Sequence, residues 1–155
     1  MTECGCAGEL VRTLPCREIW VPTRVPAVEG LFFFASPERR TSGERRIGAV
    51  QMQYRGGKDA AVYLTAHGRT MLLLFSPGCD LSRLPRSWTQ ADIVYARSAL
   101  PSDMRADRIG LVLLSRSAAQ GEPAIRMSGT LAASTAGNGD LRLRIDPDGA
   151  VGLEQ

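Results

Sequence analysis

Asp80 closes the stretch DAAVYLTAHGRTMLLLFSPGCD, residues 59 to 80, and with Glu3, Cys4 and the single histidine, His67, it supplies the groups in this 155-residue chain best suited to hold a metal or move a proton. A hydrolytic metal centre needs several imidazole and carboxylate ligands to hold one or two cations and to generate hydroxide near neutral pH. One imidazole cannot build such a centre. A set made of Glu3, Cys4 and Asp80 would have to bind zinc or manganese with an unusual mix of ligands. Nucleophilic catalysis is no better supplied, because His67 sits in a Gly-Arg turn and no GxSxG elbow is present.

The four cysteines, Cys4, Cys6, Cys16 and Cys79, form no CxxC pair. Cys4 and Cys6 are close in sequence, but a zinc site would need Cys16 and Cys79 brought to them by the fold. The alternative is a set of free or half-buried thiols in a reducing compartment. Cys79, next to Asp80 in a Pro-Gly break, would be a reactive thiol only if its surroundings depressed its pKa.

A different chemistry is carried by arginine. The net charge is +3, and Lys58 is the only lysine, so the basic groups are almost all guanidinium forks, which match phosphate and carboxylate. Most of them alternate with Asp and Glu, the pattern of a solvated surface. The dense clusters are Arg39-Arg40 and Arg45-Arg46, and with Arg55 they are the candidate phosphate contacts to nucleic acid.

The elements that must position these groups follow from pattern and composition. Hydrophobic residues make up 44% and charged residues 23%, values of a globular domain, and the length suits one domain over residues 1–155. The longest apolar runs, 31–35 and 71–75, are far too short for a membrane span. Neither a basic segment nor an apolar signal-like run opens the chain. A short helix is expected over 8–14, ended by Pro15, then a buried parallel-type strand over 17–21, then a short helix near 28–35.

The polar stretch to Arg46 reads as a surface loop, and 48–54 as a half-exposed strand. Residues 60–66 and 70–76 form a hairpin about His67-Gly68-Arg69, with Gly68 at positive φ. MLLLF is continuous rather than alternating, so both its faces should be covered, as in a central strand. LSRLPRSW should give a helical turn packing Leu81, Leu84 and Trp88. Strands follow at 91–96 and 109–116, the second covered on both faces, with a polar connection over 97–108 between them. TLAAST, LRLRIDP and DGAVGLEQ should form a terminal antiparallel hairpin with Leu141, Leu143 and Ile145 inward and Arg142 and Arg144 outward.

Taken in order, these elements resemble a metallo-β-lactamase-like domain, above all the C-terminal domain of ComEC-type competence proteins, which import DNA. In that family a Thr-Asp-His-x-Gly-Gly-Leu signature opens a helix; TECGCAGEL, from Thr2 to Leu10, occupies its place, with Glu3 for the aspartate and Cys4 for the histidine. FSPGCD occupies the place of the family's metal-bridging aspartate, so Asp80 matches it. ADIVYARSALP stands where a His-His-Gly-Ser motif belongs and holds no histidine.

The resemblance implies an α/β fold, a layered αββα sandwich with a mixed sheet, lacking the N-terminal part of the fold, as a partial or an unusually reduced domain. It also implies a non-catalytic, metal-free domain with no cofactor, in which Glu3, Cys4 and Asp80 are vestigial. Such a domain would act as a scaffold or weak nucleic-acid contact, with DNA and a membrane-embedded competence channel as partners. It would be soluble as written and membrane-tethered if attached to a competence protein. The alternative is a phosphodiester hydrolase using zinc or manganese with altered ligands.

Overall fold

The computed structural model describes residues 18–20, 38–40, 42–75, 79–96, 100–101, 104, 109–114, 131–135 and 140–154. Its centre is a seven-stranded mixed sheet in which sequence order and spatial order coincide. The strands are β3 (Ser42–Ile47), β4 (Val50–Arg55), β5 (Ala61–Ala66), β6 (Arg69–Leu74), β7 (Ile93–Ala96), β8 (Leu111–Leu114) and β9 (Leu131–Ser134). The first four form an antiparallel meander, and β6 to β9 run parallel. Two small sheets complete the described chain: parallel β1 (Glu18–Trp20) with β2 (Glu38–Arg40), and antiparallel β10 (Arg142–Ile145) with β11 (Val151–Glu154).

The expected αββα sandwich is therefore overturned. Such a sandwich needs two sheets back to back with helical outer layers, whereas the chain forms one large sheet and, among the described residues, no helix of seven or more residues. The segment 81–88 shows why. Pro85 lacks an N–H and restricts the residue before it, so a helix cannot run through. Two separate 3-10 turns form instead, Leu81–Arg83 and Trp88–Gln90. The helices expected over 8–14 and 28–35 lie outside the described residues, as does most of the connection 97–108.

Three local expectations also change. Residues 42–47, read as loop, are edge strand β3, because Gly48-Ala49 makes a two-residue turn that pairs Ile47 with Val50. TLAAST does not join the terminal hairpin; Leu131–Ser134 pairs with β8 in the large sheet. At the β5–β6 hairpin the turn is His67-Gly68 alone, and Arg69 already pairs with Ala66. Both turn residues have positive φ, 49° and 76°, the type I′ pattern that matches strand twist.

Because side chains alternate across a strand, each face of the sheet builds its own core. On one face Ala61, Leu72, Leu74, Val94, Ala96, Val112 and Leu114 pack under the irregular cover supplied by Cys79, Leu81, Leu84, Trp88, Ala91, Met104 and Ile109. On the other, Ile93, Leu111 and Leu113 pack with Met71, Tyr95 and Ala133 under Leu141, Leu143 and Ile145 from β10 and the residue before it. Strand β6 is the fourth of seven and contributes to both cores, which is the physical meaning of the unbroken MLLLF run.

The strand ends are tied by polar contacts. Thr70 Oγ1 donates to Asp92 Oδ2 at 2.8 Å and accepts from Asp92 N–H at 3.0 Å, while Asp92 Oδ2 also accepts from Thr70 N–H at 2.9 Å. Across the sheet, Arg69 Nε donates to the Gly149 carbonyl at 2.6 Å, anchoring the β10–β11 turn beside the β5–β6 turn. Gly149 has φ +83°, and a Cβ there would meet the His67 carbonyl oxygen at 2.9 Å. Gly149→Ala combines left-handed backbone strain with that overlap, so a loss of about 1–3 kcal/mol is expected in urea unfolding. An unchanged midpoint would mean that the two turns are not in contact.

Candidate nucleic-acid interface

Three of the five candidate arginines lie on the outermost pair of strands. In β3, SGERRI, five of the six residues are exposed and Gly43 is half-buried; the strand has no strand partner on its outer side among the described residues. The register decides which side chains share a face. Arg46 pairs with Gln51 and Arg55 with Ser42, so Ser42, Glu44, Arg46, Gln51, Gln53 and Arg55 all project from one face. Arg45, opposite Met52, projects from the other. The adjacent arginines of a strand thus point apart, and only Arg46 and Arg55 act together. They are four strand steps apart, about 13 Å at ~3.3 Å per residue.

Between them sits Glu44, whose carboxylate accepts a hydrogen bond from Gln51 Nε2. Arg46 Nε donates to the carbonyl of Gly48, which orients its guanidinium at the tip of the β3–β4 hairpin. Gln53 marks the inner limit of this polar face: its Oε1 accepts from Trp88 Nε1 at 3.1 Å, where the core begins. The face therefore carries two positive charges against one negative, enough for a weak anion contact. Arg39 and Arg40 are consecutive positions of β2, in a sheet separate from the large one, and their side chains lie outside the described residues.

Glu3, Cys4, Cys6 and Cys16 lie outside the described residues. Asp80 caps the turn Leu81–Arg83: one oxygen accepts from Ser82 N–H at 3.0 Å and Ser82 Oγ at 2.6 Å, the other from Arg83 Nε at 3.2 Å. The Ser82 hydroxyl and amide, then the Arg83 charge, hold its carboxyl below the usual range. Asp59, buried beneath, accepts from Asp80 N–H at 2.9 Å and pairs with Arg83 at 3.6 Å. Cys79 is packed in the larger core, and His67 is exposed at its turn. Among the described residues no group of three or more His, Cys, Asp and Glu side chains is placed to hold a metal ion.

Pairing explains what sequence reasoning missed. The arginine clusters were visible as dipeptides, but their division between two faces depends on reading 42–47 as a strand. Its alternation of charge with charge carries no apolar period to reveal it. Compared with protein-family models, with curated proteins and with solved structures, the chain matches none of them.

Proposed function

We propose that the protein is a non-catalytic scaffold domain that makes a weak, sequence-independent contact to nucleic acid through one face of its β3–β4 edge. The observation that supports this reading is the placement of Arg46 and Arg55 on a single exposed face at the end of the sheet where neither apolar core extends. The reading rests on that edge and not on kinship, because the αββα order behind the competence-protein resemblance is not the order the chain adopts. A DNA-uptake setting supplies only the choice of DNA as the polyanion to try first. No described geometry favours the hydrolase alternative, since both Asp80 oxygens are engaged by its own turn.

Fluorescence anisotropy with a labelled single-stranded oligonucleotide at about 50 mM salt should give a Kd on the order of 10–100 µM, in the range of non-specific electrostatic binding. Two phosphate contacts on a single strand predict a slope of about −1.4 for log affinity against log salt. The double variant Arg46→Glu with Arg55→Glu should abolish binding, Arg45→Glu should change it less than about threefold, and Glu44→Gln should tighten it. Equal losses from Arg45 and Arg46, or no binding at low salt, would remove the proposal.

A further inference from the structure

On the face of the sheet opposite Arg46 and Arg55, the terminal hairpin covers β7 and β8 and touches the β5–β6 hairpin at its turn. Between Leu143 and Ile145 of β10 on one side and Val50, Leu64, Ala66, Met71 and Leu73 of the sheet on the other lies a half-open groove of about 470 Å³. Its apolar lining is only half-buried, whereas the same face under the hairpin is closed. The polar groups at this groove are His67 and Arg69, at the turn end. Among the described lining residues there are two basic side chains and no acid.

The charges nearby sharpen this asymmetry. On the covering hairpin Asp146 pairs with Arg144 at 3.1 Å, Glu154 pairs with the same arginine at 3.2 Å, and Asp148 accepts from the Ala150 N–H of its own turn. Arg69 spends Nε on the Gly149 carbonyl, which pins its guanidinium at the mouth, and a guanidinium carries two further NH2 groups as donors. An apolar trough closed at one end by a fixed cation is complementary to a molecule with an alkyl tail and an anionic head.

We infer that this groove is a binding site for a medium-chain carboxylate, its tail lying between β10 and the β5–β6 hairpin and its head meeting Arg69. At roughly one water volume, about 30 Å³, per non-hydrogen atom and allowing for imperfect filling, the groove holds about a dozen such atoms, the size of decanoate. The site is independent of the nucleic-acid face, since the two lie on opposite sides of the sheet.

Titration calorimetry with hexanoate, octanoate and decanoate, each below its micelle concentration, should show saturable one-site binding that tightens about fourfold per added methylene. Decyltrimethylammonium should bind at least tenfold more weakly than decanoate. Arg69→Gln should weaken decanoate while leaving decanol unchanged, which separates loss of the charge from loss of the groove. Ala66→Leu, which fills the groove from its half-buried rim, should abolish both while the thermal midpoint stays within a few degrees of the parent. No saturable binding at millimolar decanoate would overturn the inference and point to a groove filled by the protein's own chain. Equal affinity for the cationic amphiphile would overturn it as well.

Discussion

Trp88→Ala is expected to destabilise the domain by about 3–5 kcal/mol, the range for deleting a large aromatic from a core. Trp88 is 4% exposed and does three things at once. Its ring stacks on Tyr63 with centroids 5.5 Å apart and planes 4° from parallel, so it covers the sheet at β5. It packs in the larger core with Leu72, Leu81, Leu84 and Ala91. Its indole N–H donates to Gln53 Oε1, which closes that core against the polar edge. Among the described residues no helix shields this face, and the 3-10 turns and this one ring supply much of the cover. With a urea m-value of about 1–3 kcal/mol per molar, the unfolding midpoint should drop by more than 1 M with m unchanged. Trp88→Phe keeps a ring for the stack, worth about 0.5–1.5 kcal/mol, and should recover part of the loss. A loss below about 1 kcal/mol in the alanine variant would mean that the 81–91 segment does not seal the sheet.

Leu72→Ala is the second large effect, at about 2–5 kcal/mol. Leu72 lies in the middle of the central strand with no exposed surface, in register with Tyr63 on β5 and Val94 on β7. Neighbouring strands hold these side chains from both sides, so the space left by truncation cannot collapse, and the cavity adds to the lost transfer energy. Ile47 provides the contrast: it is the same size, ends the edge strand and is 68% exposed, so Ile47→Ala should stay within about 0.5 kcal/mol. Leu73, which faces the half-open groove, should fall between the two. Chemical denaturation of the three variants tests whether burial is graded from the centre of the sheet to its edge. Equal losses at 47 and 72 would contradict the strand order.

Strands were legible wherever an apolar run announced them. MLLLF and GLVLL declare strands covered on two faces, DIVYA declares a strand, and the HGR stretch declares its hairpin, because those signals are local. The terminal pairing of 142–145 with 151–154 was also visible, from the alternation of Leu143 and Ile145 with Arg142 and Arg144. Edge strand β3 was not, since an exposed strand has no apolar period. Nor was the partner of β9: an isolated LAAS reads equally well as the arm of a hairpin or as a parallel strand added to β8.

The αββα expectation came from the order of elements, and order leaves open how many sheets the strands form. Seven strands in sequence order can lie in one sheet or divide between two, and the difference is set by long-range pairing. Of the candidate site, the residue types were readable and their grouping was not. Asp80 reads from sequence as a relic ligand or a loop cap, and its side chain caps the turn Leu81–Arg83 through Ser82 and Arg83.

Residue types and short-range pattern alone determined the single imidazole, the arginine-rich charge, the central apolar strand and a hairpin turning about Gly68. The tertiary structure decided that Arg46 and Arg55 share a face while Arg45 is turned away, and that residues 50, 64–73 and 143–145 line one groove. Both outcomes follow from strand register: a shift of one residue would exchange the faces, and register is set by pairing between segments that local sequence cannot see.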